Sequence, residues 1–508
     1  MKRLFFIIFC LSCMIVSNGQ STFSKNIDIN GFSDIGVSVN PHMEGYVLTA
    51  SSICFNGQLE CYAIVFCNEE GEVTSVKEYN SFPLNLKPGN FEGNAGAMIG
   101  QHGDLYFSGT KRADISTADI FLMKTDEFGD SIWMKTYPRP FGDISYSLLP
   151  YTDSTIMLYS EQSALQENDQ IWLLEVDLNG NVVWEGLFGQ AFNSVARQDI
   201  IKLENGDLVF SYLTCDGLLY CNMDYPYSMT VTRINANKEE VWTNTFASYE
   251  GILGGTPNSE IVPLDDNGFL VSYMRDNLDG FYPRPPILIW LDADGNVIKQ
   301  YDFPDFTELR IHNLLRTSSG AIVGVGLVDL LDYDLGFGGW IFSIDQAGEL
   351  LWERYIVDLD HPALLSWFNS VTETVDGNFM ATGTIRTAEG NDIWLVKLDS
   401  LGCLTSDCEN SFQIVSYDDL SSNNNKPTFS VFPNPLTSNI LNIKEGFPSI
   451  INRQGMKVKI FNAAGTLLYS DDYSEEIRLD ASYRGILFVN IFDQGGQLLH
   501  SQKIVSFN

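Results

Sequence analysis

Residues 169–184 read DQIWLLEVDLNGNVVW. A nearly unbroken apolar run, Ile171 to Val176, meets Asp177-Leu178-Asn179-Gly180 and resumes at Val182-Val183-Trp184. An apolar run of this length bounded by Asn-Gly reads as a strand, a tight turn and a second strand. Glycine stands in the turn because tight hairpins need positive φ. Relatives of the stretch occur as ADIFLMKTDEFGDSIW at 118–133, GGWIFSIDQAGELLW at 338–352 and NDIWLVKLDSLG at 391–402. One chain writes the same hairpin several times.

Anchored on the residue that opens the turn, the series is Asn68, Asp126, Asp177, Asn235, Asp292, Asp345 and Asp399, with spacings of 58, 51, 58, 57, 53 and 54. A sustained period of this size points to a solenoid or a propeller. Each unit offers four short strands; in the fourth they are DIIKLE (199–204), GDLVFSY (206–212), MTVTRIN (229–235) and EVWTNTF (240–246). The first pair turns at His102-Gly103, Asn205-Gly206, Asn267-Gly268, Ser319-Gly320 and Asp376-Gly377, and the second pair at its own glycine in six units. The fourth unit writes Asn237-Lys238 there, so an irregular turn is expected. Seven four-stranded units predict an all-β fold, a seven-bladed β-propeller; one misread unit would make it six or eight. Trp133, Trp184, Trp242 and Trp352 fall on outer strands and Trp172, Trp290, Trp340 and Trp394 on third strands, where they are expected to wedge between blades. The seventh unit lacks an outer strand, and STFSKNIDI (21–29) is a spare one that can close the ring and remove exposed edges.

The chain has 508 residues, 44 % hydrophobic, with net charge −35. Lys2 and Arg3 are the charges of residues 1–20, and 427–508 hold seven bases and seven acids, so 21–426 carry −37. An acidic body repels phosphate backbones and argues against nucleic-acid binding; it suits solubility, or calcium or a cationic partner. MKRLFFIIFCLSCMIVSNGQS opens with two bases and an apolar run from Leu4 to Val16. That reads as a secretory signal peptide over 1–20, cut near Gly19–Gln20, and is too short to span a membrane. Cys13 offers the alternative of a lipoprotein cysteine. No transmembrane segment is expected. Of nine cysteines, six form close pairs, Cys54/Cys61, Cys215/Cys221 and Cys403/Cys408, read as disulfides of an exported protein; Cys67 is left over.

The ring should occupy 21–412, with tight turns on one face and variable loops on the other. Binding usually uses such loops. They include LTCDGLLYCNMDYPYS (213–228), YMRDNLDGFYPRPP (273–286) and LVDLLDYDLGFG (327–338). Tyr225, Tyr227, Arg275, Tyr282 and Arg284 are the candidate ligand-binding residues, a mixture suited to a glycan or a peptide.

A polar linker is expected over 413–427, followed by a small β-sandwich of roughly seven strands over 428–508. FPNP at 432–435, LNI at 441–443, VKIFNAAGTLL around Gly465, GILFVNI from Gly485 and QKIV at 502–505 together resemble the type A C-terminal sorting domain of the type IX (Por) secretion system of Bacteroidota. Phe432 replaces the common tyrosine, and Leu487 stands where an aromatic is common. The resemblance implies that Pro433, Asn434, Pro435, Gly465, Gly485 and Lys503 belong to the sorting motifs and that the type IX machinery is a partner. It also implies that the acidic ring is the passenger, released or left at the cell surface after passing the periplasm, commonly with the sorting domain cleaved. GCLTSDC at 402–408 is similar to the exit motif of propellers in such cargo.

No catalytic residue stands out. GxSxG and HExxH are absent and the five histidines are scattered. DADGN (292–296) opens like a calcium loop but lacks the later acidic ligand and falls at a repeat turn, so no metal site or cofactor is assigned, calcium being the one candidate. The leading reading is a non-catalytic binding, adhesion or scaffold module. The alternative, by fold analogy alone, is a glycosidase or lyase on the variable-loop face.

Overall fold

The computed structural model describes residues 22–506 apart from 55–58, 81–84, 89–96, 101–102, 113–117, 140–141, 163–169, 190–198, 216–226, 247–258, 275–285, 304–308, 331–335, 359–364, 388–389, 405–411, 416–428, 437, 446–455, 464, 481 and 493–497. The described residues up to Val415 form seven sheets of four or five strands each, antiparallel except for one added strand in the sixth. The quoted stretch shows why. Gln170–Asp177 is buried along almost its whole length, because a third strand lies inside its sheet with a neighbouring sheet on each face. Val182–Phe188 alternates between exposed and half-buried, as an outermost strand does.

The innermost segments are Asp34–His42, Ala97–Ile99, Asp143–Thr152, Ile200–Lys202, Ile261–Pro263, Leu309–Arg316 and Ser366–Glu373. Each touches the next, and the last touches the first, so the sheets close into a propeller-like ring. The N-terminal strand Phe23–Ile27 completes the seventh sheet, pairing antiparallel with Asn391–Leu398 in the register Phe23↔Lys397 to Ile27↔Ile393. Trp394 Nε1 donates to Ser24 Oγ at 2.9 Å across this join.

Every unit opens its second turn on an Asp or Asn whose side chain accepts backbone N–H groups. Asp177 Oδ1 takes Asn179 N at 2.9 Å and Asn181 N at 2.8 Å. Asn235 and Asp292 do the same. The anchor residue of the repeat is thus a turn cap. The glycine three residues on lies under an aromatic of the preceding sheet. A Cβ on Gly180 would meet Trp133, on Gly295 Trp242, on Gly348 Trp290 and on Gly402 Trp352. On Gly129 it would meet Phe66, and on Gly71 Phe23 of the closing strand. The tryptophans wedge between sheets as expected.

The fourth unit differs from expectation. Its turn is not irregular: Lys238 N donates to Asn235 O at 2.8 Å, as Gly180 N does to Asp177 O. Lys238 adopts a φ of 69°. Its ammonium lies 3.1 Å from Glu175 Oε2 and 3.3 Å from the centroid of Tyr151. An ion pair and a cation–π contact, both largely buried, offset the left-handed backbone.

The expected linker also begins differently. Phe412–Val415 is a strand that pairs parallel with the outer strand Leu350–Asp358 of the sixth sheet. Beyond it, Phe429–Phe432, Ile440–Glu445 and Glu476–Arg478 form one sheet, and Leu467–Asp472, Lys457–Asn462, Gly485–Phe492 and Leu498–Ser506 another. Their shared core includes Val431, Leu441, Ile443, Val458, Ile460, Val489 and Ile504. No helix among the described residues is long and apolar enough to cross a membrane.

Candidate functional site

The ring encloses a cavity of about 290 Å³ lined by its innermost strands, with Ser38, Asn40, Ser147, Asp199 and Arg316 among the polar lining. An innermost strand leaves one backbone edge without a strand partner, and those groups must be satisfied in another way. Side chains of the neighbouring sheet do this. Asp199 Oδ2, in the fourth sheet, accepts Ile261 N of the fifth at 3.3 Å. Glu260, in the fifth, accepts the Leu314 amide and, at 3.2 Å, Asn313 Nδ2 of the sixth. Asn313 Oδ1 accepts Val371 N of the seventh at 3.2 Å. Asn369 Nδ2, in the seventh, donates to Gly36 O of the first at 2.7 Å. Ser145 N and Oγ of the third sheet donate to Thr110 Oγ1 and Ser108 Oγ of the second at 3.2 and 3.1 Å. Register shifts at Gly36/Ser38, Ser145/Ser147, Ile311/Asn313 and Phe368/Ser370 place a bulge at the corresponding point of four innermost strands. Bulges re-aim side chains, and Asn369 is one of the residues so aimed.

Asp199 and Glu260 are the carboxylic acids of this belt. Burial raises the carboxyl pKa of both, the accepted N–H bonds oppose it, and the charge of Asp199 raises Glu260 further. Two carboxyls so placed hold a proton that an exposed pair would lose. Asp199 also faces the cavity. The pair can therefore hold neighbouring strands together and, at Asp199, exchange a hydrogen bond with a small polar guest.

Two further acids are fully buried at the starts of innermost strands. Burial pushes Asp34 up to about 6, although Ile29 N and Ser52 oppose it. Burial pushes Asp143 up to about 7, against the pull of Arg139, and neither of its carboxyl oxygens has a hydrogen-bond partner among the described residues. The native chain therefore keeps the Asp143 proton over a pH range in which the unfolded chain has lost it. Stability falls as pH rises from about 4 through 7, because there the native state binds more protons. Asp143→Asn is expected to leave the urea midpoint unchanged at pH 4 and to raise stability by roughly 2–4 kcal/mol at pH 8. Equal effects at the two pH values would show that this carboxyl does not titrate on unfolding.

Most of the loop residues proposed for ligand binding lie outside the described residues: Tyr225, Arg275, Tyr282 and Arg284. Tyr227 begins the strand Tyr227–Ile234 opposite Cys215, and its side chain is likewise outside the description. Cys54 and Cys61 form the expected disulfide, joining two paired strands across residues 55–58. Cys403 is disulfide-bonded, while Cys408 and Cys221 lie outside the described residues, as does the side chain of Cys215. Cys67 is free and buried, and burial pushes its thiol up to about 12, so it is not a reactive thiolate. In DADGN, Asp292 already accepts Asp294 N and Asn296 N with one oxygen and Asn296 Nδ2 with the other. It is a turn cap like its counterparts. Among the described residues, no three His, Cys, Asp or Glu side chains are grouped to hold a metal ion. Residues 1–21 lie outside the described residues.

The separate motifs of the C-terminal region meet. Asn434 Oδ1 accepts Val505 N at 2.9 Å and Asn434 Nδ2 donates to Lys503 O at 3.2 Å. Val431 N donates to Gln502 Oε1 at 2.8 Å and Gln502 Nε2 to Val431 O at 3.0 Å. The peptide bonds before Pro433 and Pro435 are cis, and Gly465 and Gly485 take φ of 76° and 82° in open space.

No protein-family model matches the chain, and no curated protein does. Solved structures of similar fold exist. PorZ, a surface component of the type IX secretion system of Porphyromonas gingivalis, is 10 % identical over 92 % of this chain and 75 % of its own, with a TM-score of 0.34. An α-L-arabinanase of Penicillium chrysogenum is 11 % identical over 75 % of this chain and 99 % of its own, with a TM-score of 0.41. An ulvan lyase of polysaccharide lyase family 25 is 9 % identical over 76 % and 98 %, with a TM-score of 0.48. At these values the likeness is one of general architecture, and the activities belong to those proteins.

The belt residues Asp199, Glu260, Asn313 and Asn369 escaped the sequence reading. Their signal is a polar residue recurring at 61, 53 and 56 residues inside or just before an otherwise apolar innermost strand.

Proposed function

We propose that this chain is a secreted or surface-exposed propeller that acts as a non-catalytic binding, adhesion or scaffold module. In this reading it is exported through the periplasm by a signal peptide over 1–20 and across the outer membrane by a type IX sorting region over 428–508. The observation that carries the binding reading is the belt. Asp199 and Glu260, carboxyls at the ring's centre, accept the backbone N–H groups of the next sheet. Acids engaged in closing the ring serve its rigidity, which leaves recognition of a glycan or protein to the variable-loop face and to Tyr225, Tyr227, Arg275, Tyr282 and Arg284. The export part is supported by the pairing of Asn434 with Lys503 and Val505 and of Val431 with Gln502, which makes distant motifs one surface.

Two measurements test this. Deleting 428–508 is expected to leave the chain in the periplasm of its producing cell, whereas the full chain reaches the surface or medium; equal delivery overturns the export reading. Residues 21–426 are then screened against glycan arrays and polysaccharides, with and without calcium. Binding lost on changing Tyr225, Tyr227 and Tyr282 to alanine is the expected result, and binding that survives those changes moves the site elsewhere. The enzymatic alternative, a glycosidase or lyase, draws on Asp199, a cavity-facing carboxyl of raised pKa. It requires polysaccharide turnover that Asp199→Asn abolishes.

A further inference from the structure

Strand alternation places Ile504 inside the C-terminal sandwich, so its neighbour Val505 must face away from that core. An outward valine of a free-standing sheet would be exposed, yet Val505 is 0 % exposed. It is covered by the apolar cluster of the fifth and sixth sheets, which includes Leu330, Tyr355 and Val357. Ile486, directly opposite Val505 in the register, packs on the same cluster. The strand Phe412–Val415 runs beside Tyr355–Asp358 of that sheet. It carries the chain from the end of the seventh sheet back to the sixth, and thirteen residues separate Val415 from Phe429. Two independent features, an apolar face and an added strand, thus bring the region 429–506 to one sheet of the ring.

The size of the apolar contact decides how it works. Two aliphatic side chains offset only a small part of the freedom that two separate bodies lose on associating. A connection of thirteen residues removes most of that loss, holding the face at an effective concentration on the order of millimolar.

We propose that the 429–506 region is docked on the sixth sheet through Val505 and Ile486, and that this interface lasts only while the connection 416–428 is intact. Cutting the connection releases the region and uncovers apolar surface on both pieces. The inference concerns a contact within the chain and does not depend on the export reading.

The test uses the full chain with a site-specific protease sequence inserted between Asn423 and Asn424, and cysteine variants read by mass on the 424–508 piece, which has no native cysteine. Val505→Cys is expected to react with a thiol reagent at least 10-fold faster after cutting than before, and the two pieces to separate on gel filtration at micromolar concentration. Ile504→Cys, in the sandwich core, is expected to stay unreactive throughout. Equal Val505→Cys rates before and after cutting, fast or slow, overturn the proposal. So does co-elution of the cut pieces, or Ile504→Cys becoming reactive on cutting, which would mean that the region unfolds rather than undocks.

Discussion

Removing residues 22–29 is expected to destabilise the ring by about 5–8 kcal/mol, the largest effect of any change considered. Phe23 and Ile27 are buried, and burying such side chains is worth roughly 1.5–3 kcal/mol each. The strand also satisfies the free edge of Asn391–Leu398 along five residue pairs, with each hydrogen bond contributing about 0.5–1.5 kcal/mol net. Phe23 in addition roofs the Gly71 turn of the first sheet, so its loss loosens two sheets. A domain has about 5–15 kcal/mol in all, so the shortened chain should unfold at far lower urea and aggregate through its open edge. A synthetic peptide of residues 21–30 should restore the midpoint in a concentration-dependent way. A shortened chain whose midpoint is unmoved would show that the ring closes without this strand.

The second large effect is expected at Gly402. A Cβ there would fall inside contact distance of the Trp352 ring, and the φ is 72°. Gly377 has a φ of 76° with nothing within 4 Å. Both alanine variants incur the left-handed backbone, roughly 1–2 kcal/mol, but only Gly402→Ala also overpacks, for about 1–3 kcal/mol more. Gly402→Ala should therefore lower stability by about 2–5 kcal/mol and Gly377→Ala by about 1–2 kcal/mol. Equal losses in urea titrations would show that the tryptophan moves aside without cost.

The pair of glycines also indicates what a single sequence reveals. The turns were legible because their chemistry is local: Asp177 caps the amides two and four residues on, and Gly180 supplies the φ of 74°. The closing strand was legible because a repeat that ends one strand short leaves a matching surplus at the other end. Lys238 misled because the compensation for its φ comes from Glu175 and Tyr151, two sheet strands distant in sequence. The belt was illegible for the same reason. Asp199 in DIIKLE resembles any polar residue at a strand start, and its partner Ile261 lies 62 residues away. Residues 413–415 of the strand Phe412–Val415 were expected in the linker because so short a run without a partner in sequence carries no strand signal of its own.

The join between Ser24 and Trp394 spans 370 residues. A strand made early is thus placed late, since Phe23–Ile27 has nothing to pair with until Asn391–Leu398 has left the ribosome. Until then the seventh sheet is incomplete, and no stretch of nascent chain can close a ring that would have to be reopened. A ring wired in this way stays threadable for most of its synthesis and locks only when its own two ends meet.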